Sequence, residues 1–299
     1  MSFLNPVNEP VLRFKSTDAG APQINYNARV AGDVKAVLKA CLVTGYGAVT
    51  SAGWSIVNEV GSVAEFVSPS AAMSDYRLKI SDSSTGTTTW SYFYQGTATS
   101  FPKGAVSKSF SSMDKASSEN GWQLLVTQLG VLFVEILVNP YNNKRMARVT
   151  NWGQIKSAAA SDTGANIGFW HAGVSGSANF TNDFYGYAAE TYYNVGGVKT
   201  TTLSSANIVA LTKTNESYGL INVDLTSDLY LYSGATLIGQ QVGLLVGTVA
   251  QEVDLFGVYD DTLAGRPVLK LCLGRDDSRK DYLVKYCSVM YLHLDYWGY

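Results

Sequence analysis

Apolar residues in this chain recur at two spacings, and the change from one to the other marks its organisation. Val34, Val37, Leu38, Cys41 and Leu42 fall at i, i+3, i+4, i+7 and i+8, which predicts one amphipathic helix of about 11 residues. Asp33 stands where an N-cap would accept backbone N–H bonds, and Gly45 and Gly47 where the chain must leave the helix. Beyond the helix the period drops to two. Strands are predicted at Ser55–Val60, Val63–Val67, Tyr76–Ile80 and Thr87–Tyr94. Tyr76, Leu78 and Ile80 alternate with Arg77 and Lys79, and Asp82 to Gly86 (DSSTG) supplies turn chemistry. Residues 76–94 therefore read as a hairpin with Trp90, Tyr92 and Tyr94 on one face.

A second hairpin is predicted from Trp122–Val126 and Val131–Val138, joined through Gln128 to Gly130. Leu132, Val134, Ile136 and Val138 lie opposite Val131, Phe133, Glu135 and Leu137, so this strand should sit near the centre of a sheet. Gly96 to Gly121, rich in Ser, Lys and Gly, reads as a long loop and a candidate interaction arm. Ser157 to Gly197 holds FWHAG and FYGYAAETYYN, the pattern of loops and short strands with a tyrosine-studded surface, suited to an interface or to packing around small residues. Strand-length apolar groups return within 207–231, 237–246, 268–273 and 282–294, without an internal repeat. The pattern predicts a mainly β protein with one or two short helices: a β-sandwich or barrel-like sheets with an N-terminal amphipathic helix. Residues 1–120 form a helix-plus-hairpin region and 121–299 a β-rich region, able to pack as one domain.

Composition narrows the function. With 299 residues and 46 % apolar content the chain can bury a large core. Charged residues make up 15 %, against roughly 25 % in an average soluble domain, so its surface suits coverage by neighbours. A net charge of −2 gives no broad basic face for phosphates, and the densest basic run, Lys144, Arg145 and Arg148, reads as a solvated hairpin tip. DNA contact is therefore unsupported. Cys41, Cys272 and Cys287 form no C-x-x-C pair, which argues against a zinc ribbon or a disulfide framework and for reduced cytosolic thiols. No signal peptide is evident at MSFLNPVNEP, and the longest apolar run, Val131 to Val138, is broken by Glu135 and far short of the roughly 20 residues that span a bilayer. The N-x-S/T matches at Asn179 and Asn215 then carry no glycosylation inference.

Catalytic chemistry is sparse. His171 lies near Ser175, but Ser177 takes the second glycine's place in a G-x-S-x-G elbow, and the other histidine is His293. Asp260 with Asp261 and Asp276 with Asp277 are adjacent acids in turn-like sequence, where a solvated turn is favoured over a catalytic dyad. Catalytic, cofactor and metal residues are therefore all expected to be none, and no cofactor is expected.

Residues 16–54 concentrate no catalytic group and read as a docking scaffold, although a capped core helix accounts for the helical pattern. Their motifs, STDAGAP (16–22), CLVTGYG (41–47) and AGW (52–54), resemble the N-terminal signature of a family of tailed-bacteriophage virion structural proteins. Further matches follow in order: the strands from Trp122, NWGQIKS (151–157) with Trp152 and Gln154 in place of the family's Phe and Asp, GLL (243–245), LAGR (263–266) and the closing LHLDYWGY. The resemblance implies a non-enzymatic virion component in multiple copies at the head–tail neck or tail, with capsid decoration or the baseplate as alternatives. Its partners would be copies of itself and other virion proteins, with no membrane, and its location the virion, assembled in the host bacterial cytoplasm. The segment through Asp18, the Gly96–Gly121 loop and the FYGYAAETYY stretch are the candidate contacts. A carbohydrate-binding or depolymerising receptor module, built on the tryptophans and tyrosines, is the alternative of another class.

Overall fold

The computed structural model describes residues 8–25, 30–74, 76–82, 88–95, 106–111, 121–138, 145–157, 166–173, 187–192, 194–195, 198–199, 206–210, 225–233, 236–250, 257–275 and 286–298. In chain order the strands of the first half are β1 (Asn8–Pro10), β2 (Leu12–Lys15), β3 (Ser55–Val60), β4 (Val63–Val67), β5 (Tyr76–Ser81), β6 (Thr88–Gln95), β7 (Val106–Ser111), β8 (Gly121–Val126), β9 (Gly130–Val138) and β10 (Arg145–Ser157). They continue with β11 (Asn166–Gly173), β12 (Tyr187–Tyr192), β13 (Asn194–Val195), β14 (Val198–Lys199), β15 (Ala206–Ala210), β16 (Leu225–Ser233), β17 (Thr236–Ala250), β18 (Gly257–Leu263), β19 (Arg266–Arg275), β20 (Tyr286–His293) and β21 (Tyr296–Gly298). The α-helix α1 (Asp33–Lys39) runs directly into a π-helical turn, Ala40–Thr44. The protein is mainly β with a short N-terminal helix, as the patterning predicts.

A 12-stranded antiparallel sheet runs in the order β18-β19-β20-β17-β16-β15-β12-β11-β10-β9-β8-β2. The end of β10 also pairs with β17, Lys156 opposite Gln240 and Ser157 opposite Gly239, so the sheet curls back on itself. Leu125, Leu132, Val134, Val149 and Ile155 from one limb then pack against Val242, Leu244, Leu269, Leu271, Met290 and Leu292 from the other. This is the sandwich-like arrangement, with two inner faces filling one core. On the opposite face of β8–β10, Trp122, Leu124, Val126, Val131, Phe133 and Trp152 form another core with α1 and a five-stranded sheet, β3-β4-β5-β6-β7. The alternation along β9 therefore sends Leu132 and Val134 to one core and Val131 and Phe133 to the other. Strand β9 is central because both of its faces are buried. Residues from either side of position 120 share the first of these cores.

Val34, Val37, Leu38, Cys41 and Leu42 all point into that first core, so the helical stripe is a packing face. Its capping differs from the expectation at Asp33. Gly32 occupies the N-cap with φ +99° and Asp33 is the first helical residue, its carboxylate accepting from Val30 N. The helix N-terminus is capped from a distance, by Asp82 Oδ2, which accepts from Val34 N at 2.8 Å and Lys35 N at 3.4 Å. A buried carboxylate there satisfies orphan donors and complements the helix dipole.

Three other expectations change. The 96–121 stretch contains β7, paired with β6, because Val106 to Ser111 completes the five-stranded sheet; its remaining residues up to 120 lie outside the described residues. Of the N-terminal segment through Asp18, residues 8–18 are built into the fold and residues 1–7 lie outside the described residues: β1 pairs with β21, β2 pairs with β8, and Phe14 is buried. Asp260 and Asp261 lie within β18, since the turn falls after them, at Ala264 and Gly265. Lys144, Ser175, Ser177, Asn179, Asn215, Asp276 and Asp277 lie outside the described residues.

Candidate functional site

The residues at which the chain concentrates unusual chemistry form interlocks between layers. In the first, Asp18 Oδ2 accepts from Lys15 N and from the Tyr46 hydroxyl, each at 2.9 Å. Ser16 exchanges backbone and side-chain bonds with Trp122, whose indole Nε1 donates to Pro22 O at 3.0 Å. Gly47, with φ +54°, brings its Cα against the Ala19 carbonyl, where a Cβ would approach the oxygen to 2.4 Å. Only glycine fits that contact. Trp54 Nε1 donates to Thr127 O, fastening the AGW segment to the β8–β9 turn. The STDAGAP and GYG segments thus clasp each other and the central strands, and serve inside the molecule.

Cys41 sits at the centre of this lock. Burial, reinforced by the Asp18 charge, pushes its thiol well above the ordinary cysteine range. The thiolate is suppressed, so Cys41 acts as a small hydrophobe. Burial and the bond to Asp18 likewise push the Tyr46 hydroxyl up.

Between the two limbs of the large sheet, Asn151 and Gln241 form a buried reciprocal amide pair, with Asn151 Nδ2 donating to Gln241 Oε1 at 3.1 Å and Gln241 Nε2 to Asn151 Oδ1 at 3.4 Å. Beside it, Trp152 turns the other way into the first core. Gly153 lies so close to Gly130 that a Cβ would meet its Cα at 2.7 Å.

The third interlock closes the C-terminus. Ala264 (φ +50°) and Gly265 (φ +80°) make a hairpin turn of the I′ kind, pairing Leu263 with Arg266. Arg266 grips Asp295 through Nε at 2.9 Å and Nη2 at 2.7 Å, and its guanidinium lies 4.0 Å from the centre of the Tyr296 ring. That hydrogen-bonded pairing holds the Asp295 carboxyl down at about 2 and pushes Arg266 higher. Trp297 stacks on Gly243, where a Cβ would come within 2.5 Å of the indole, and its Nε1 donates to His293 O at 3.1 Å.

None of these constellations aligns a nucleophile with a base. His171 pairs across the strands with Thr150 and His293 with Val268, on different parts of the sheet. Among the described residues no group of three or more His, Cys, Asp or Glu is placed to hold a metal ion. Asp260 is engaged by Arg13 at 2.5 and 3.0 Å, which lowers its carboxyl and ties edge strand β2 to edge strand β18. Among the described residues no helix is long and apolar enough to cross a membrane.

Of the candidate contact segments, the tyrosine-rich one contributes β12, inside the large sheet between β11 and β15. Among the described residues, exposed large apolar side chains occur at two places that the patterning does not single out. Val57 (52 %), Val60 (71 %) and Val30 (61 %) lie on β3 and just before α1, with Val57 at a bulge in the edge strand. Leu12, Tyr259 and Tyr296 are exposed on β2, β18 and β21. The signal for the first place was the valine-rich SIVNEV itself; its edge position was not legible. Comparison with protein families, curated proteins and solved structures finds no match for this chain.

Proposed function

We propose that this protein is a non-enzymatic structural component of a tailed-phage virion, present in multiple copies at the head–tail neck or tail. One observation carries the reading: segments that resemble the virion family supply many of the contacts that interlock its layers. Asp18, Gly47 and Trp54 from the first signature, Asn151 from NWGQIKS, Gly243 from GLL, and Arg266 and Asp295 from the last two motifs all make contacts between distant segments. A body braced in this way presents fixed surfaces, and repeated interfaces of moderate strength become stable through symmetry and multivalency. The low charge content and the exposed valines near β3 suit coverage by neighbouring subunits.

Light scattering on the purified protein, with immuno-gold labelling of intact particles, tests this. A ring-sized oligomer and label at the head–tail junction are expected. Label over the capsid or at the baseplate would move the protein to decoration or host attachment, and absence from purified particles would overturn the virion reading.

A further inference from the structure

On the outer face of the five-stranded sheet, three side chains from successive strands meet at one atom. Glu65 of β4 is paired in register with Asn58 of β3 and with Lys79 of β5. Asn58 Nδ2 donates to Glu65 Oε1 at 3.2 Å, and Lys79 Nζ lies 3.3 Å from the same oxygen. Glu65 is only 1 % exposed, although its neighbours Ala64 and Phe66 occupy the face turned to the core. A buried carboxylate held between an amine and a carboxamide can relay a proton from one nitrogen to the other.

We propose that Lys79 and Asn58 become joined by an intramolecular isopeptide bond, with Glu65 as the catalytic proton relay. Glu65 takes a proton from the Lys79 ammonium, and the freed Nζ lone pair attacks Asn58 Cγ. The Cγ–Nδ2 bond then breaks as Glu65 returns the proton to the leaving nitrogen, which already hydrogen-bonds the same oxygen. Nζ keeps one of its three protons, and the other two leave with the amide nitrogen as ammonium, so the step needs no oxidant or co-reactant. Strands β3 and β5 flank β4, which sets their backbones roughly 10 Å apart, a gap that an extended lysine stem and the asparagine methylene bridge together. The product ties the bulged edge strand β3 across β4 to β5.

Mass spectrometry of the full chain, with peptide mapping, tests the bond directly. The expected result is a deficit of about 17 Da, the mass of ammonia lost in the cross-link, and a branched peptide joining the segments around Asn58 and Lys79. Lys79→Arg and Glu65→Gln should each abolish the branched peptide. A wild-type chain without the deficit would overturn the proposal whatever the variants do. So would a deficit that survives Lys79→Arg, since that marks a succinimide formed at an asparagine.

Discussion

The two cores that share β8–β10 are filled differently. The first, between these strands and the helix with its five-stranded sheet, is aromatic: Phe14, Tyr46, Trp54, Phe66, Tyr76, Trp122, Phe133 and Trp152. Trp54, Trp122 and Tyr46 each send a polar tip to a hydrogen-bond partner in another segment, so large side chains act there as struts. The second core is mostly Leu, Val, Ile and Met, with Trp297 at its end and one amide pair inside. Two sheets facing each other leave a gap of roughly 10 Å that aliphatic side chains fill evenly. A helix and a loop crossing a sheet leave an uneven space that large rings fill. Shape therefore selects the residue class on each side, and polar anchoring differs accordingly: many single struts on one side, one reciprocal pair on the other.

The strongest test of that contrast is truncation of a strut. Trp122→Ala removes a fully buried indole and its bond to Pro22, and should destabilise by about 3–5 kcal/mol, read as a lowered urea midpoint. Gly243→Ala acts at the end of the second core, where the added methyl meets the Trp297 ring at positive φ. A loss of about 1–3 kcal/mol is expected from the overpacking, and a near-unchanged melting temperature would show that Trp297 moves aside freely. Asn151→Leu should cost about 1–3 kcal/mol by taking away one partner of a buried pair. The double change with Gln241→Leu should recover part of that loss; if it is additive instead, the pair does not set the alignment of the limbs.

The C-terminal clamp supplies a pH test. The folded-state carboxyl of Asp295, at about 2, lies below the ordinary aspartate value near 3.9 of an unfolded chain. Its contribution is therefore fully present above about pH 4 and is lost as pH falls through about 2. Asp295→Asn should flatten the acid limb of the stability curve in that window; denaturant melts at both ends of it would show an unchanged slope if the clamp is not coupled to folding. The smallest effect is expected at the seam, where the exposed Arg13–Asp260 pair should be worth no more than about 1 kcal/mol and weaken with added salt. A loss in Asp260→Ala well beyond that, insensitive to salt, would make the seam part of the core.

Much of this architecture is legible in order along the chain. The helical stripe from Val34 to Leu42, the bounds of β3 and β4, and the two-faced burial of β9 all follow from spacing, because backbone geometry sets those periods locally. The strand at Val106–Ser111 is not legible in the sequence because its residues lack a strong alternation and it exists by pairing with β6. Among the candidate contacts, residues 8–15 are pinned to the fold because β1 and β2 find partners far along the chain. Local spacing alone determined a β-rich protein with one short amphipathic helix and glycines at its exit. Only the tertiary structure decided that Asp82 caps a helix 48 residues away, that Asn151 meets Gln241 across 90 residues, and that Arg13 closes on Asp260 across 247. Those partners are chosen by how the sheet curls, which no local period encodes.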